Sequence, residues 1–273
     1  MRIFSGYKGS SFFELLKLDS PHLLPDFSVG EGIVQVPHGT TVLACKYEGG
    51  VLMAGDRLAT MGNQVASRDV EKVFRTDSHS VMAISGAAGP SVEMARLLLV
   101  ELEHYEKIEG EQLELEGKAN KLSQMVRQNL PAAMQGLAVV PLFAGFDTRR
   151  KAGRLWKFDI TGGRYEETDF DATGSGGLFA RESLKKRWSP GLDRDASVRA
   201  AVEALSDAAD EDRATGGVDL ERGIFPVIMC AQEDGIAAVD EGEIESVYRA
   251  LHGSRQRGKA KGNGNGESGG TTP

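Results

Sequence analysis

Pro37-His38-Gly39-Thr40-Thr41-Val42-Leu43-Ala44-Cys45-Lys46-Tyr47, then Glu48-Gly49-Gly50, then Val51-Leu52-Met53-Ala54-Gly55-Asp56, is the stretch from which the fold can be read. Thr40 to Tyr47 is β-rich and Val51 to Asp56 is mostly apolar. With a glycine turn between them, the spacing predicts a hairpin. Upstream the texture changes abruptly. Residues 1–39 carry Pro21, Pro25 and Pro37 and show no sustained periodicity.

Downstream, Lys72-Val73-Phe74-Arg75 and Ser80 to Ser85 read as two more strands. A helical stripe of Met94, Leu97, Leu98, Leu102 and Tyr105 then runs from Pro90 to Ile108, with Pro90 suited to a first turn. A second helix is expected over 118–135, with Pro131 kinking it or ending it early. Strands return at Leu137 to Phe146 and Arg154 to Ile160, followed by helices at 177–187 and 195–211. A hairpin at 224–239 turns at Asp234-Gly235, and a last helix covers 242–252. Strands grouped with strands and helices with helices predict an α+β protein. Its antiparallel sheets should carry helices packed outside them.

The chain has 273 residues, 40% apolar and 26% charged, enough to bury a substantial core. Its net charge of −8 argues against a general nucleic-acid binder, which normally shows a basic face. The two cysteines, Cys45 and Cys230, form neither a disulfide framework nor a zinc ligand set, which suits a reducing cytosol. No cofactor is expected. No apolar run approaches the length of a membrane helix. Glu14, Lys17 and Asp19 break up the N-terminal cluster of Phe12, Phe13, Leu15 and Leu16, which removes the continuous core of a signal peptide. A cytoplasmic location is expected. From Ser254 to Pro273 the chain is mostly Gly, Asn, Ser, Lys and Arg and is expected to be a disordered tail.

Several short motifs carry chemistry. A Thr hydroxyl is a weak nucleophile that needs a base. Cleavage between Gly39 and Thr40 would put an α-amine, whose pKa is about 7.7 to 8, beside the hydroxyl of its own residue. Lys72 interrupts an apolar strand pattern; if buried it needs a carboxylate, and Asp56 in Gly55-Asp56-Arg57 is a candidate. Ser85-Gly86-Ala87-Ala88-Gly89-Pro90 leads into a helix N-terminus, where backbone N–H groups favour negative charge. Gly174-Ser175-Gly176-Gly177 lacks the lysine of a phosphate loop. Asp207, Asp210, Glu211 and Asp212 crowd a helix C-terminus, where the dipole disfavours them. That end reads as solvated or metal-binding. Arg213-Ala214-Thr215-Gly216-Gly217 follows as a tight polar loop.

Together, Gly39-Thr40-Thr41, Gly55-Asp56-Arg57, Lys72, Ser85-Gly86, Gly174-Ser175-Gly176 and Asp212 to Gly217 resemble the 20S proteasome β-subunit family. The resemblance runs from about Thr40 to Leu251. It looks closest to the actinobacterial branch at Val100 to Lys107 and Arg222 to Pro226. It implies a four-layer αββα sandwich of two antiparallel sheets flanked by helices, the N-terminal-nucleophile (Ntn) hydrolase fold. Residues 1–39 would be a propeptide removed by self-cleavage, and 40–253 the catalytic domain. Thr40 would be the nucleophile, Lys72 would lower its proton affinity, and Asp56 would fix Lys72. Ser175, Asp212 and Thr215 would hold the amine and a nearby water, and the Gly86 N–H would serve the oxyanion. Family members usually carry Ser where this chain has Thr215.

The resemblance also implies partners: proteasome α-subunits and other β-subunits in stacked seven-membered rings, and a ring ATPase that delivers tagged substrates. Strand alternation puts Val70 on the side of Lys72 and Ile84 on the side of Gly86. The family's specificity-pocket positions add Ala59 and Ala88. All four are neutral and apolar, so cleavage after Leu, Phe, Tyr and similar residues is expected. Two alternatives remain. One is a non-catalytic barrel subunit, which would lack the nucleophile or the lysine. The other is the two-ring bacterial threonine protease, whose chains are shorter and differ after Gly-Asp.

Overall fold

Burial alternates along the strands of the computed structural model, which describes residues 20, 39–61 and 64–262. In β1 (Thr41–Tyr47), Leu43, Cys45 and Tyr47 point to one core cluster while Val42 and Ala44 point to another. In β2 (Gly50–Gly55), Leu52 and Ala54 join the first cluster, Val51 and Met53 the second. Side chains of period two serve both faces, and both faces are covered. That is why these strands read as continuous apolar runs.

The first sheet has the order β10-β1-β2-β11-β12, adding β10 (Phe170–Gly174), β11 (Val227–Gln232) and β12 (Gly235–Ala238). The second has the order β5-β6-β7-β8-β9: Val73–Arg75, Ser80–Gly86, Val139–Asp147, Ala152–Phe158 and Arg164–Glu167. All pairings in both sheets are antiparallel. Between the sheets lie Val42, Ala44, Val51 and Met53 from one side and Val73, Val81, Ala83, Leu142, Ala144 and Leu155 from the other. Helices α1 (Ala88–Glu109) and α2 (Leu115–Gln128) cover the second sheet through Met94, Leu98, Leu102, Leu122 and Val126. Helices α4 (Gly177–Arg187) and α5 (Arg194–Glu211) cover the first through Ala180, Leu184, Val198, Val202 and Leu205. Four layers result, helix on sheet on sheet on helix.

Pro131 acts as expected. Helix α2 stops at Gln128, and a single turn, α3 (Leu130–Ala133), holds the proline near its start. Other boundaries differ from expectation. A short ribbon of β3 (Ala59–Met61) and β4 (Gln64–Ser67) fills what reads as a loop. β9 and β10 also escape the sequence pattern, because they are short and only partly buried. The last helix, α6 (Glu241–Gly262), runs ten residues past its expected end, into the segment expected to be a disordered tail. Apart from Gly258, positions 255–261 hold Arg, Gln, Lys and Ala, which are good helix formers. The chain divides into two units at Val34/Gln35, and all these elements belong to the second. The expected propeptide, residues 20 and 39 apart, lies outside the described residues, as does the tail beyond Gly262. Among the described residues no helix is long and apolar enough to cross a membrane.

Candidate active site

Thr40 sits just before β1, at the end of the first sheet where β1, β2 and β10 all terminate. Pairing of β1 with β2 sets Thr41 beside Asp56. The Thr41 N–H donates to Asp56 Oδ1 at 2.8 Å, and the Asp56 N–H returns a bond to the Thr41 carbonyl at 3.1 Å. Pairing of β1 with β10 brings Gly174 so close that a Cβ there would lie 2.0 Å from the Thr40 carbonyl oxygen. Gly174 also has φ +100°, so glycine is required on both counts. The next residue, Ser175, donates its N–H to the Thr40 carbonyl at 2.9 Å.

Lys72 reaches this end from the second sheet. It lies directly before β5, and its carbonyl accepts the Ile84 N–H. Its side chain is 5% exposed, and all its donors have partners: Asp56 Oδ1 at 2.7 Å, the Leu58 carbonyl at 2.6 Å and the Gly39 carbonyl at 3.4 Å. Burial lowers the Lys72 pKa from its ordinary value, and the charges of Asp56 and Asp212 oppose that shift. Asp56 is buried with four donors: Lys72 and the N–H groups of Thr41, Leu58 and Gly216.

A second carboxylate closes the site. Asp212 caps the C-terminal end of α5. Its Oδ2 accepts Ser175 Oγ at 2.5 Å and Thr215 Oγ1 at 2.6 Å, and its Oδ1 accepts the Ala214 N–H. Burial works to raise the Asp212 pKa, but these hydrogen bonds and the Lys72 charge outweigh it and hold the carboxyl below its ordinary range. Ser175 Oγ accepts the Thr40 N–H at 3.3 Å. Thr215 makes no hydrogen bond to Thr40; its second partner is Thr41 Oγ1 at 2.6 Å. Asp207, a few residues upstream, is taken up by Ser183 Oγ at 2.7 Å and Arg187 at 3.3 Å.

The Thr40 hydroxyl donates to the carbonyl oxygen of Gly39 at 2.6 Å, the oxygen that Lys72 Nζ also approaches. A Cβ on Gly39 would come within 2.3 Å of Thr60 Oγ1 and 2.7 Å of Ala214. Gly86 ends β6 with φ +114°, and the adjacent Ser85 Oγ lies 3.3 Å from Thr173 Oγ1, so Gly86 is at the same end of the two sheets. Of the four residues expected to line the specificity pocket, Ala59 and Val70 are half-buried, Ala88 is exposed, and Ile84 is buried in the cluster that also holds Met94 and Ala95 of α1. Val70 and Lys72 both precede β5, so strand alternation does not tie them to one face. Sequence reasoning missed the Leu58 carbonyl, the Gly216 N–H and the Thr41 hydroxyl. The doubled threonine after Gly39 was the only signal for the last.

A family model described as "Proteasome subunit" matches residues 36–220. A curated protein named "Proteasome subunit beta" from Acidimicrobium ferrooxidans is 52% identical over 251 residues, 92% of this chain and 92% of that one. Proteins of the same name from Acidothermus cellulolyticus and Streptomyces griseus are 52% and 49% identical, over 90% and 89% of this chain and 87% of each relative. Their similarity spans every residue gathered around Thr40, and with the family match it shows that the chain belongs to the proteasome subunit family.

Proposed function

We propose that the chain is a catalytic β-subunit of a proteasome core in the cytoplasm, a threonine endopeptidase made as a zymogen and activated by self-cleavage between Gly39 and Thr40. One observation carries this reading: the Thr40 hydroxyl and Lys72 Nζ converge on the Gly39 carbonyl oxygen, at 2.6 and 3.4 Å. The relatives' shared name supports the β assignment.

In the first step Thr40 Oγ1 attacks the Gly39 carbonyl carbon. The C–O bond forms, the C–N bond breaks, and the hydroxyl proton ends on the Thr40 nitrogen, leaving an ester. The Lys72 charge stabilises the oxyanion, and the Gly86 N–H is a second donor for it. Water then hydrolyses the ester, releasing residues 1–39 with a new carboxylate. The freed α-amine becomes the base for the same hydroxyl in peptide cleavage, with Ser175 and Asp212 holding it. Asp56 keeps Lys72 in place, and Thr215 keeps Asp212 in place.

Intact mass of the protein co-assembled with its α-subunits tests the reading: the mature chain should begin at Thr40. A mature chain that retains His38 and Gly39 overturns it. The substrates we propose are unfolded proteins delivered by a ring ATPase and cut mainly after apolar residues, with Ala59, Val70, Ile84 and Ala88 lining the pocket. Burying a Leu or Phe side chain gains about 1.5 to 3 kcal/mol, whereas a charged residue there has no counter-charge. On fluorogenic peptides differing only before the scissile bond, Leu and Tyr should turn over faster than Arg or Glu. The reverse order would remove these four residues from the pocket.

A further inference from the structure

Thr41 lies one residue beyond the nucleophile, and its side chain is fully buried. Its Oγ1 has two partners. The Gly176 N–H donates to it at 3.1 Å, and Thr215 Oγ1 lies 2.6 Å away. Chemistry settles the direction of the second bond. An ionised carboxylate only accepts, so Thr215 spends its single proton on Asp212 Oδ2. Thr41 must therefore donate to Thr215. A directed chain results, from the Gly176 N–H through the Thr41 and Thr215 hydroxyls to Asp212 Oδ2. The same oxygen takes the Ser175 proton at 2.5 Å, which leaves the Ser175 lone pairs for the Thr40 N–H. The packing is closed around this chain: a Cβ on Gly176 would lie 2.4 Å from Thr41 Oγ1 and 2.5 Å from Thr215 Oγ1.

We propose that Thr41 is a positioning residue for the chemistry at Thr40, its hydroxyl holding Thr215 Oγ1 against Asp212 Oδ2 and so keeping Asp212 where it accepts from Ser175, whose Oγ faces the Thr40 nitrogen as an acceptor. The proposal rests on the reading of Thr40 as nucleophile. Buried as it is, Thr41 acts through Thr215 and Asp212 rather than on the substrate. Hydrogen bonds in such a chain polarise one another, and removing one partner strands the rest. Without the Thr41 hydroxyl, the Gly176 N–H loses its acceptor and Thr215 Oγ1 loses its donor.

The test compares Thr41→Val, which keeps the branched shape and loses the hydroxyl, with Thr41→Ser, which keeps the hydroxyl. Both are co-assembled with the α-subunits and assayed on a fluorogenic peptide with Tyr before the scissile bond. Thr41→Val should lower kcat at least tenfold with KM within about twofold of the parent, a loss in keeping with a buried donor left without its acceptor. Thr41→Ser should stay within about threefold. Thr215→Val combined with Thr41→Val should be no worse than the lower of the two single variants, since the two hydroxyls act as one unit.

Parental kcat in Thr41→Val, equal loss in Thr41→Ser, or additive losses in the double variant would each overturn the proposal. Should Thr41→Val fail to assemble, Thr41→Cys replaces it, keeping the volume with a weaker donor. Its kcat must then fall at least threefold, and parental kcat overturns the proposal. Thr40→Ala is run alongside. Activity surviving there overturns the nucleophile itself, whereas an inactive Thr40→Ala beside a parental Thr41→Val overturns only the role of Thr41.

Discussion

Lys72–Asp56 and Lys118–Asp77 are both buried lysine–aspartate pairs, and the three residues of β5 separate Lys72 from the turn that holds Asp77. Their ammonium–carboxylate distances are 2.7 and 2.6 Å, so charge and distance do not tell them apart. Their other partners do. Asp56 also receives three backbone N–H groups, from Thr41, Leu58 and Gly216. Asp77 receives the His79 N–H on Oδ1, and its Oδ2 faces Lys118. Lys72 in turn reaches the carbonyls of Leu58 and Gly39, whereas Lys118 ties α2 to the turn between β5 and β6. One pair is held by the backbone and points its cation at a peptide bond. The other holds two elements together. On the proposed mechanism one buried pair serves the chemistry and the other the structure, and they differ in what saturates the carboxylate and in what the cation faces next.

Lys72→Ala should have the largest effect. Loss of self-cleavage and a roughly thousandfold or greater fall in peptide turnover are expected, in the range of a lost acid–base group. Asp56 keeps its three N–H donors, so the melting temperature should fall less than in Lys118→Ala. Near-normal turnover in an assembled Lys72→Ala protein would remove the contrast altogether.

Lys118→Ala should show the opposite pattern. Removing one partner of a buried pair costs about 3–5 kcal/mol, and at about 2–4 °C per kcal/mol for a domain of this size the melting temperature should fall by roughly 10 °C. In protein that assembles, kcat should stay at the parental value. Replacing both partners, Lys118→Met with Asp77→Leu, should recover most of the loss, because no charge is left unpaired. A double variant as unstable as Lys118→Ala would show that Lys118 does more than balance Asp77.

The smallest effect concerns pH. The Asp212 pKa is depressed in the fold, so the unfolded chain binds the proton more tightly. Its contribution to stability is present above the ordinary carboxylate pKa of about 3.9 and is lost as pH falls through the depressed value. Asp212→Asn should flatten the acid side of a stability–pH curve below about pH 4. An unchanged acid limb would mean that Ser175 and Thr215 do not stabilise the charge on Asp212.

Strands β1 and β2 and the placing of helices outside the sheets are legible in the amino-acid sequence, and the four-layer order came with the family resemblance. Both faces of β1 and β2 are apolar, so which of Leu43, Cys45, Leu52 and Ala54 or Val42, Ala44, Val51 and Met53 lies between the sheets is not visible in the chain alone. The helical stripe of α1 and the break at Pro131 are local to the chain. Strands β3, β4, β9 and β10 are not legible there. They are short and half exposed, and the strand each one pairs with defines it more than its own composition does. The first nine residues of the expected tail are helical, which their lack of apolar residues did not signal.

The candidate site divides along the same line. Its residue types are legible in the chain: a threonine after a glycine, a lysine in an apolar pattern, carboxylates after a strand and at the end of a helix, and small residues in the turns. From these came the family resemblance. Tertiary structure alone decided that β10 runs beside β1 and sets Ser175 against Thr40, although the two are 135 positions apart. It also decided that Thr215 bonds Thr41 across 174 positions rather than Thr40. Periodicity is written within a few residues, because it follows the backbone's own repeat. Which hydroxyl meets which carboxylate depends on strand register and on the packing of separate elements, and those follow from burying the whole core at once.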